Sequence, residues 1–501
     1  MFGRIVAYRF KRAVVVSITS GAVIVGAAVA PHLRFVNGSL LLLLVPGVVA
    51  SWRRQSIVTL LLLCLLGFGT GLWRGSVYAD QLAIYTKLFS QKVTITGVAS
   101  DDATYGSREQ LSMTLTNVRL QAPYNAPLLG AVSVSGFGAS GIRRGDVVQA
   151  AGKLQPTLGG NQATISFGLL QVSHSPPGVL ESLRRRFVAG LQSALPEPLA
   201  SFGLGLLVGQ KNTLPQAASQ ALLMAGLTHI IAVSGYNLTI ILQVVRRLLG
   251  KSSKFQTAAG CALLSLVFLA LAGSSPSLTR AALISALSLT AWYYGREIKP
   301  AVLLLLAAAI TVVMNPLFAR GNISWCLSFL AFAGVLLLGP LLTRRLFGAR
   351  EPLLLLAVLV ESVCAEAMTV PYVLHIFGQM SLVSLLANIL VVALVPLGML
   401  LTLIAGIAGM IAAPFAGWFA WPARLLLTYM LDVATLLSRI PYAFIQNRSF
   451  STVMMLGCYV VVAGLAGILW HWGRRNGKIT PIDSETESEA RHERSLQMVH
   501  D

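Results

Sequence analysis

Runs of about 20 apolar residues recur along this chain, and they constrain its fold more than any other feature. Ala13–Ala30, Ser56–Trp73, Gln256–Gly273, Ile323–Leu342 and Thr452–Trp472 are examples. In hydrocarbon the backbone must satisfy its own hydrogen bonds, so such runs can cross only as helices. Composition agrees. Only 11% of the 501 residues are charged and the mean hydropathy is +0.73. A water-soluble chain of this length needs far more charge to cover its surface. The expected class is an α-helical polytopic membrane protein with roughly a dozen spans of about 20 residues each, into which one small β-barrel is inserted.

The net charge of +20 gathers at segment ends, as at Arg53 and Arg54, Arg246 and Arg247, Arg344 and Arg345, and Arg474 and Arg475. That is the distribution the positive-inside rule produces. The same loops can attract a polyanion or anionic lipid. Basic residues at Arg4–Arg12 and Arg53–Arg54 put the N-terminus in the cytoplasm, and the third run then exits near Trp73. Under one topology, 246–254, 296–299, 344–350 and 474–478 all fall inside. The five cysteines are scattered through apolar segments without a CxxC, which suits buried thiols rather than a disulfide framework or zinc site. A retained first helix, rather than a cleaved leader, fits the apolar runs that follow it.

Between Arg74 and Pro176 no membrane-length run occurs. Short β-like pieces replace it, at Lys92–Ser100, Glu109–Gln121, Gly130–Phe137, Gly145–Leu154 and Ala163–Ser173. Leu111, Met113 and Leu115 alternate with Ser112, Thr114 and Thr116, the period of a half-buried strand. About five short strands suit a small barrel of the OB type, on the outer side of the membrane. Lys87, Lys92, Arg108, Arg119, Arg143, Arg144 and Lys153 barely outweigh the acids there, and few aromatics interleave. A docking role is therefore as well supported as nucleic-acid binding. The stretch Pro176–Leu195 reads as an amphipathic helix on the membrane surface, with Arg184, Arg185 and Arg186 on one side and Leu183 and Phe187 on the other.

Apolar text then dominates. Spans are expected near Leu227–Val245, Gln256–Gly273, Ala281–Gly295, Pro300–Phe318, Ile323–Leu342, Pro352–Phe377, Leu382–Val395, Leu397–Ala413 and Thr452–Trp472. The resulting division is 1–73, N-terminal helices; 74–176, the barrel; 177–199, the interfacial helix; 200–415, a transmembrane core; 416–475, a second interfacial helix and the last span; and 476–501, a disordered cytoplasmic tail.

Polar groups inside apolar segments are costly and tend to mark function. The segment Gly226–Leu242 reads GLTHIIAVSGYNLTIIL. It places His229 and Asn237 eight residues apart on one helix face, bordered by Ser234 and Gly235. A hydrogen-bonded helix seam and a polar passage explain this equally well. Arg280 begins a helix after the loop 273–277. Glu361 and Glu366 lie inside an apolar run, with Arg280 as a candidate partner. Gln379 sits in a connection that leads to Asn388, and Pro396 interrupts the following helix. The chain carries no P-loop, no HExxH and no GxSxG, and its histidines are isolated. No catalytic residue, metal site or cofactor is expected, and neither ATP hydrolysis nor other enzymatic chemistry is indicated.

These residues also carry a family resemblance. The stretch HIIAVSGYNLTII at His229–Ile241, with Gly226 before it, resembles the signature of the ComEC competence family, the DNA-uptake channels of natural transformation. The stretches 272–281, Trp325–Phe329 and Phe377–Asn388 follow in the family's order. The region from about 200 to 410 is similar to its competence domain, and 74–176 to its OB-like insertion. In the family's pattern a His stands where this chain has Asn237, so a titrating imidazole is not available there. Many members also end in a metallo-β-lactamase-like domain that this sequence does not carry, which implies a nuclease acting in trans.

What the resemblance implies is a channel in the cytoplasmic (inner) membrane that passes single-stranded DNA inward. His229, Ser234, Gly235, Asn237, Arg280, Gln379 and Asn388 would line the DNA path, and Glu361 and Glu366 would hold helices in register. The partners implied are the DNA strand, membrane lipid, an outer DNA receptor and a soluble ATPase or helicase motor. A proton-coupled small-molecule transporter would explain the intramembrane carboxylates instead, and a structural scaffold for an envelope complex is a third class.

Overall fold

The computed structural model describes residues 11–475 except Val36, 52–56, 106–109, Ser140, 158–160, 174–177, 211–213, 232–237, 239–241, 243–245, 247–252, 273–275, 297–298, Ala349, Glu351 and 447–448. The chain is mostly helical and divides into two compact units. One comprises Met1–Phe329 and Leu394–Arg439, the other Leu330–Ala393 and Ile440–Asp501. The expected tail, 476–501, lies outside the described residues.

In the first unit the helix Arg12–Val29 packs along the helix Ile57–Leu88. Gly67, Gly71 and Gly75 recur every fourth residue and so share one face. A Cβ at Gly71 would overlap the Val23 carbonyl, and one at Gly26 would overlap the Phe68 carbonyl. Bare backbone on both helices permits this approach, which is how helices associate where lipid removes the hydrophobic drive. Arg74 then ties this pair to the helix Pro300–Met314 by donating from Nε to the Val313 carbonyl, 3.0 Å away.

The helix does not stop near Trp73, where the composition changes. It continues to Leu88 and buries Tyr85 and Leu88 in the core of the barrel. Five strands follow closely where sequence periodicity puts them: β1 Lys92–Ala99, β2 Leu111–Ala122, β3 Val132–Phe137, β4 Val147–Gln155 and β5 Ala163–Ser173. β1 pairs with both β2 and β4, β2 with β3, and β4 with β5, all antiparallel. β3 and β5 run parallel and complete the closure. Ile95, Leu115, Leu120, Val134, Leu154 and Ile165 fill the interior, as the alternation requires.

The helix Val179–Ala194 corrects an expectation. It does not present its arginines on an open membrane-surface face. Arg184 and Arg185 point into the barrel's loops instead. Arg184 lies 3.5 Å from Asp102 and 3.2 Å from Glu181, and Arg185 lies 3.6 Å from Asp146. Gln210 donates to Asp102 at 2.8 Å and so joins the network. Arg186 alone of the three is exposed. On the opposite side, Gly190 meets Gly409 of the helix Val395–Ile411, where a Cβ would strike backbone. The helix is amphipathic as expected, with Arg184 and Arg185 turned into the barrel's loops while Val179, Leu183 and Arg186 stay exposed.

Six helices among the described residues have the length and apolarity to cross a membrane: Arg12–Val29, Ile57–Leu88, Ile323–Phe347, Leu355–Phe377, Ser384–Ile411 and Thr452–Trp472. The dozen expected from apolar runs is not matched. Two expected spans merge in Ser384–Ile411, which is interrupted only by a 3-10 turn at Val392–Leu394 ahead of Pro396. Gly38–Val49, Leu199–Val208, Lys254–Leu269 and Pro300–Met314 are apolar but shorter. The expected span Leu227–Val245 falls largely outside the described residues. The second amphipathic stretch forms the helix Ala416–Ser438, which buries Ala420, Ala423, Leu427, Met430 and Ala434 and packs on Val395–Ile411.

In the second unit, the helix Leu354–Phe377 passes close to a π-helical turn at Gly334–Leu338. Pro340 has no N–H to continue the α ladder, which accounts for the wider turn just before it. Arg345 stacks over Trp472, with Cζ 4.1 Å from the ring centroid. Two short strands, Met380–Ser381 and Phe444–Ile445, pair antiparallel.

Candidate functional site

His229 owes its place to a helix stop. The helix Gln216–Met224 ends in Gly226, whose φ of 78° favours glycine. Gly226 N–H donates to the Leu223 carbonyl at 3.0 Å and Leu227 N–H to the Leu222 carbonyl at 2.8 Å, a Schellman closure. The chain re-enters a short helix, Thr228–Ile231, with His229 exposed on it. The His229 Nδ1 lies 3.1 Å from the Gly226 carbonyl. A carbonyl only accepts, so Nδ1 carries the proton and Nε2 of the neutral ring is left as an acceptor.

Ser234, Gly235 and Asn237 lie outside the described residues. Leu238, next after Asn237, is fully buried against Phe268, Leu278 and Ala281. Leu278 and Ala281 flank Arg280, so the fold brings the end of the polar segment onto the helix that carries Arg280.

Arg280, on the helix Pro276–Tyr293, is 8% exposed. Its Nη1 donates to the Ser328 carbonyl, and its Cζ lies 5.6 Å from the Phe329 ring centroid. The Ser328 hydroxyl donates to the Ser277 hydroxyl at 3.0 Å. Trp325 stacks on Phe329 with centroids 4.5 Å apart, and its Nε1 donates to the buried Thr311 hydroxyl at 3.0 Å. A guanidinium in an apolar site needs such a carbonyl and ring face to offset its desolvation. Sequence reasoning quoted Trp325–Phe329 without assigning it a role and missed Thr311 altogether. The only available signal was a hydroxyl within an apolar run.

Arg280 is therefore engaged by Ser328 and Phe329. Asn388 Nδ2 donates to Glu366 Oε1 at 3.3 Å. The connection that allows this is tight. Gly378 closes the helix Leu354–Phe377 in the left-handed region, Gln379 follows half-buried, and the helix Ser384–Val391 turns Asn388 back toward Glu366. Asn388 is 5% exposed. Glu361 is exposed on the same helix as Glu366. Thus the predicted residues form two groups, Arg280 with the end of the motif segment in one unit, and Glu366 with Asn388 in the other. Among the described residues no cluster of His, Cys, Asp or Glu could hold a metal ion.

No curated protein and no solved structure matches the chain significantly. The family model described as "Competence protein" matches residues 206–473. The match begins within the helix Leu199–Val208 and ends in the last helix, so it extends beyond the expected core of 200–415. It contains every polar residue described above from Gln210 to Asn388. Because it covers more than half of the sequence, the chain belongs to the competence protein family.

Proposed function

We propose that this protein is the channel that passes single-stranded DNA inward across the cytoplasmic membrane during natural transformation. The family match over 206–473 carries the reading, since competence proteins point to DNA uptake. Six membrane-length helices give it a place in a bilayer. A polyanion avoids most of its desolvation cost only along a hydrated path between helices. His229, Ser234, Gly235, Asn237 and Gln379 are assigned to that path, and Arg280 shapes it from its buried anchor on Ser328. Glu361 and Glu366 would repel phosphate and stand apart from it. The protein supplies a conduit and no catalytic residue. A soluble ATPase or helicase provides the drive, and an outer receptor delivers the strand.

The barrel is read as an OB-type module that receives DNA. Its closed order β1-β2-β3-β5-β4-β1, with β3 and β5 parallel, supports that assignment. So does one face of it. Phe137 pairs with Leu169 across β3 and β5, and both are exposed. Lys92 pairs with Lys153 across β1 and β4. Phe167 is 60% exposed with φ at 58°. A bulky residue in the left-handed region is strained, and here no burial compensates it. Exposed rings beside lysines suit stacked bases and phosphates.

Uptake of labelled DNA by a strain deleted for this chain tests the reading. Loss of DNA entry with normal surface binding supports the channel. Unchanged entry with altered metabolite flux supports a proton-coupled transporter.

A further inference from the structure

Glu366 sits in the middle of the candidate span Leu355–Phe377. Among the described residues no Lys, Arg or His forms an ion pair with it. Its hydrogen-bond partner is a neutral donor. Asn388 Nδ2 reaches Oε1 at 3.3 Å. Ser384 opens the helix Ser384–Val391, whose start contributes roughly +0.5 charge. An ionised carboxylate without a cationic partner is costly in such a low-dielectric setting.

The second observation is on Asn388. Its Oδ1 is buried and has no hydrogen-bond partner, although the amide is held against Glu366 through its other end. A buried acceptor left unmet costs about 1–3 kcal/mol. One ligand class answers both groups. A cation neutralises the carboxylate and takes electron density from Oδ1. The Ser384 hydroxyl, which bonds the Ser381 carbonyl at 3.2 Å, adds further oxygen where the chain is unwound between two helices. Broken helices with exposed carbonyls are where membrane proteins hold small cations.

We propose that Glu366 and Asn388 form a binding site for a small monovalent cation, a proton or a sodium ion, inside the membrane segment.

Among the described residues, no charged group on the elements packed against this helix forms an ion pair with Glu366. The π-turn Gly334–Leu338 carries no titratable group. The helix Gly339–Phe347 offers Arg344 and Arg345, the latter occupied by Trp472. The helix Thr452–Arg475 carries Cys458, then His471, Arg474 and Arg475 in its last turns, and Tyr459, whose hydroxyl donates to the Met368 carbonyl at 3.0 Å. On its own helix stand Glu361, Cys364, Tyr372 and His375, whose Nδ1 lies 2.8 Å from the Phe450 carbonyl. The short strand Met380–Ser381 has none.

The test uses the full chain in phosphatidylcholine vesicles without DNA, in a Glu361→Gln background that removes the second carboxylate. Infrared difference spectra read the carbonyl stretch of a protonated carboxyl, and radioactive sodium reads cation binding. A proton site gives a carboxyl band that fades as pH rises, is indifferent to sodium, vanishes in Glu366→Gln and persists at a shifted frequency in Glu366→Asp. A sodium site gives saturable binding of one ion per chain, lost in Glu366→Gln and weakened about tenfold in Asn388→Leu, which is the loss of one oxygen ligand worth about 1.4 kcal/mol. The inference is overturned if the carboxylate stays ionised at every pH where the chain is folded and sodium binding equals that of Glu366→Gln. Because no DNA is present, that outcome leaves the channel reading untouched.

Discussion

The barrel and the membrane helices solve opposite packing problems within one chain. In the barrel, apolar side chains point inward, so that Ile95, Leu115 and Ile165 are fully buried and water outside drives their burial. In the membrane helices many apolar side chains point outward. Leu43, Leu61, Val460 and Leu465 are all more than half exposed. There, association rests on glycine contacts such as Gly71 on Val23 and on isolated polar bonds such as Arg280 on Ser328. Hydrophobic burial therefore stabilises one region, while close backbone approach and a few hydrogen bonds stabilise the other.

Substitutions can break or sharpen this contrast. The largest effect belongs to the charged seam between them. Arg184→Met removes the arginine that pairs with Asp102, while Glu181 keeps Arg185, and losing one partner of a buried pair costs about 3–5 kcal/mol. Limited proteolysis of the full chain should then release the barrel while both parts stay folded. Leu115→Ala in the barrel core should cost about 2–5 kcal/mol, read as a lowered thermal midpoint of the purified chain. The same truncation at Leu465, on the outward face of the last helix, should stay within about 0.5 kcal/mol. If the two truncations cost the same, the contrast is wrong.

Phe167→Gly separates function from stability. Relief of the left-handed backbone should stabilise the barrel by about 1–2 kcal/mol. Loss of the ring should weaken binding of an oligo-thymidine to the full chain by about 1–3 kcal/mol. Removing Lys92 and Lys153 together should flatten the salt dependence of that binding by about 1.4 in log–log slope. Fluorescence anisotropy across a salt series reads both variants. A modest effect is expected for Thr311→Val, which removes the partner of Trp325 at a cost of about 1 kcal/mol, visible as a small shift in thermal midpoint and in Trp emission.

Legibility followed the range of the forces. β2 was readable because alternation is written in successive residues, and its observed burial repeats that alternation. The tight turn at Gly226 is equally local. The helix Val179–Ala194 is legible as amphipathic, but the barrel contact of Arg184 and Arg185 is not. A charged face looks the same in sequence whether it meets water or a partner such as Asp102, 82 residues away. Apolar length counts more membrane-length helices than the structure has, because Leu382–Val395 and Leu397–Ala413 fall in the single candidate span Ser384–Ile411.

The sequence by itself determined that this chain enters a membrane, that a small β domain is inserted after the first helices, and that rare polar residues occupy apolar segments. Those properties depend on hydropathy and period, which are sums over neighbours. The tertiary structure decided which polar groups meet. Arg280 finds Ser328 across 48 residues and Asn388 finds Glu366 across 22. Such pairings depend on the rotation and crossing of whole helices, set by contacts at bare glycines and tight turns that no local pattern records.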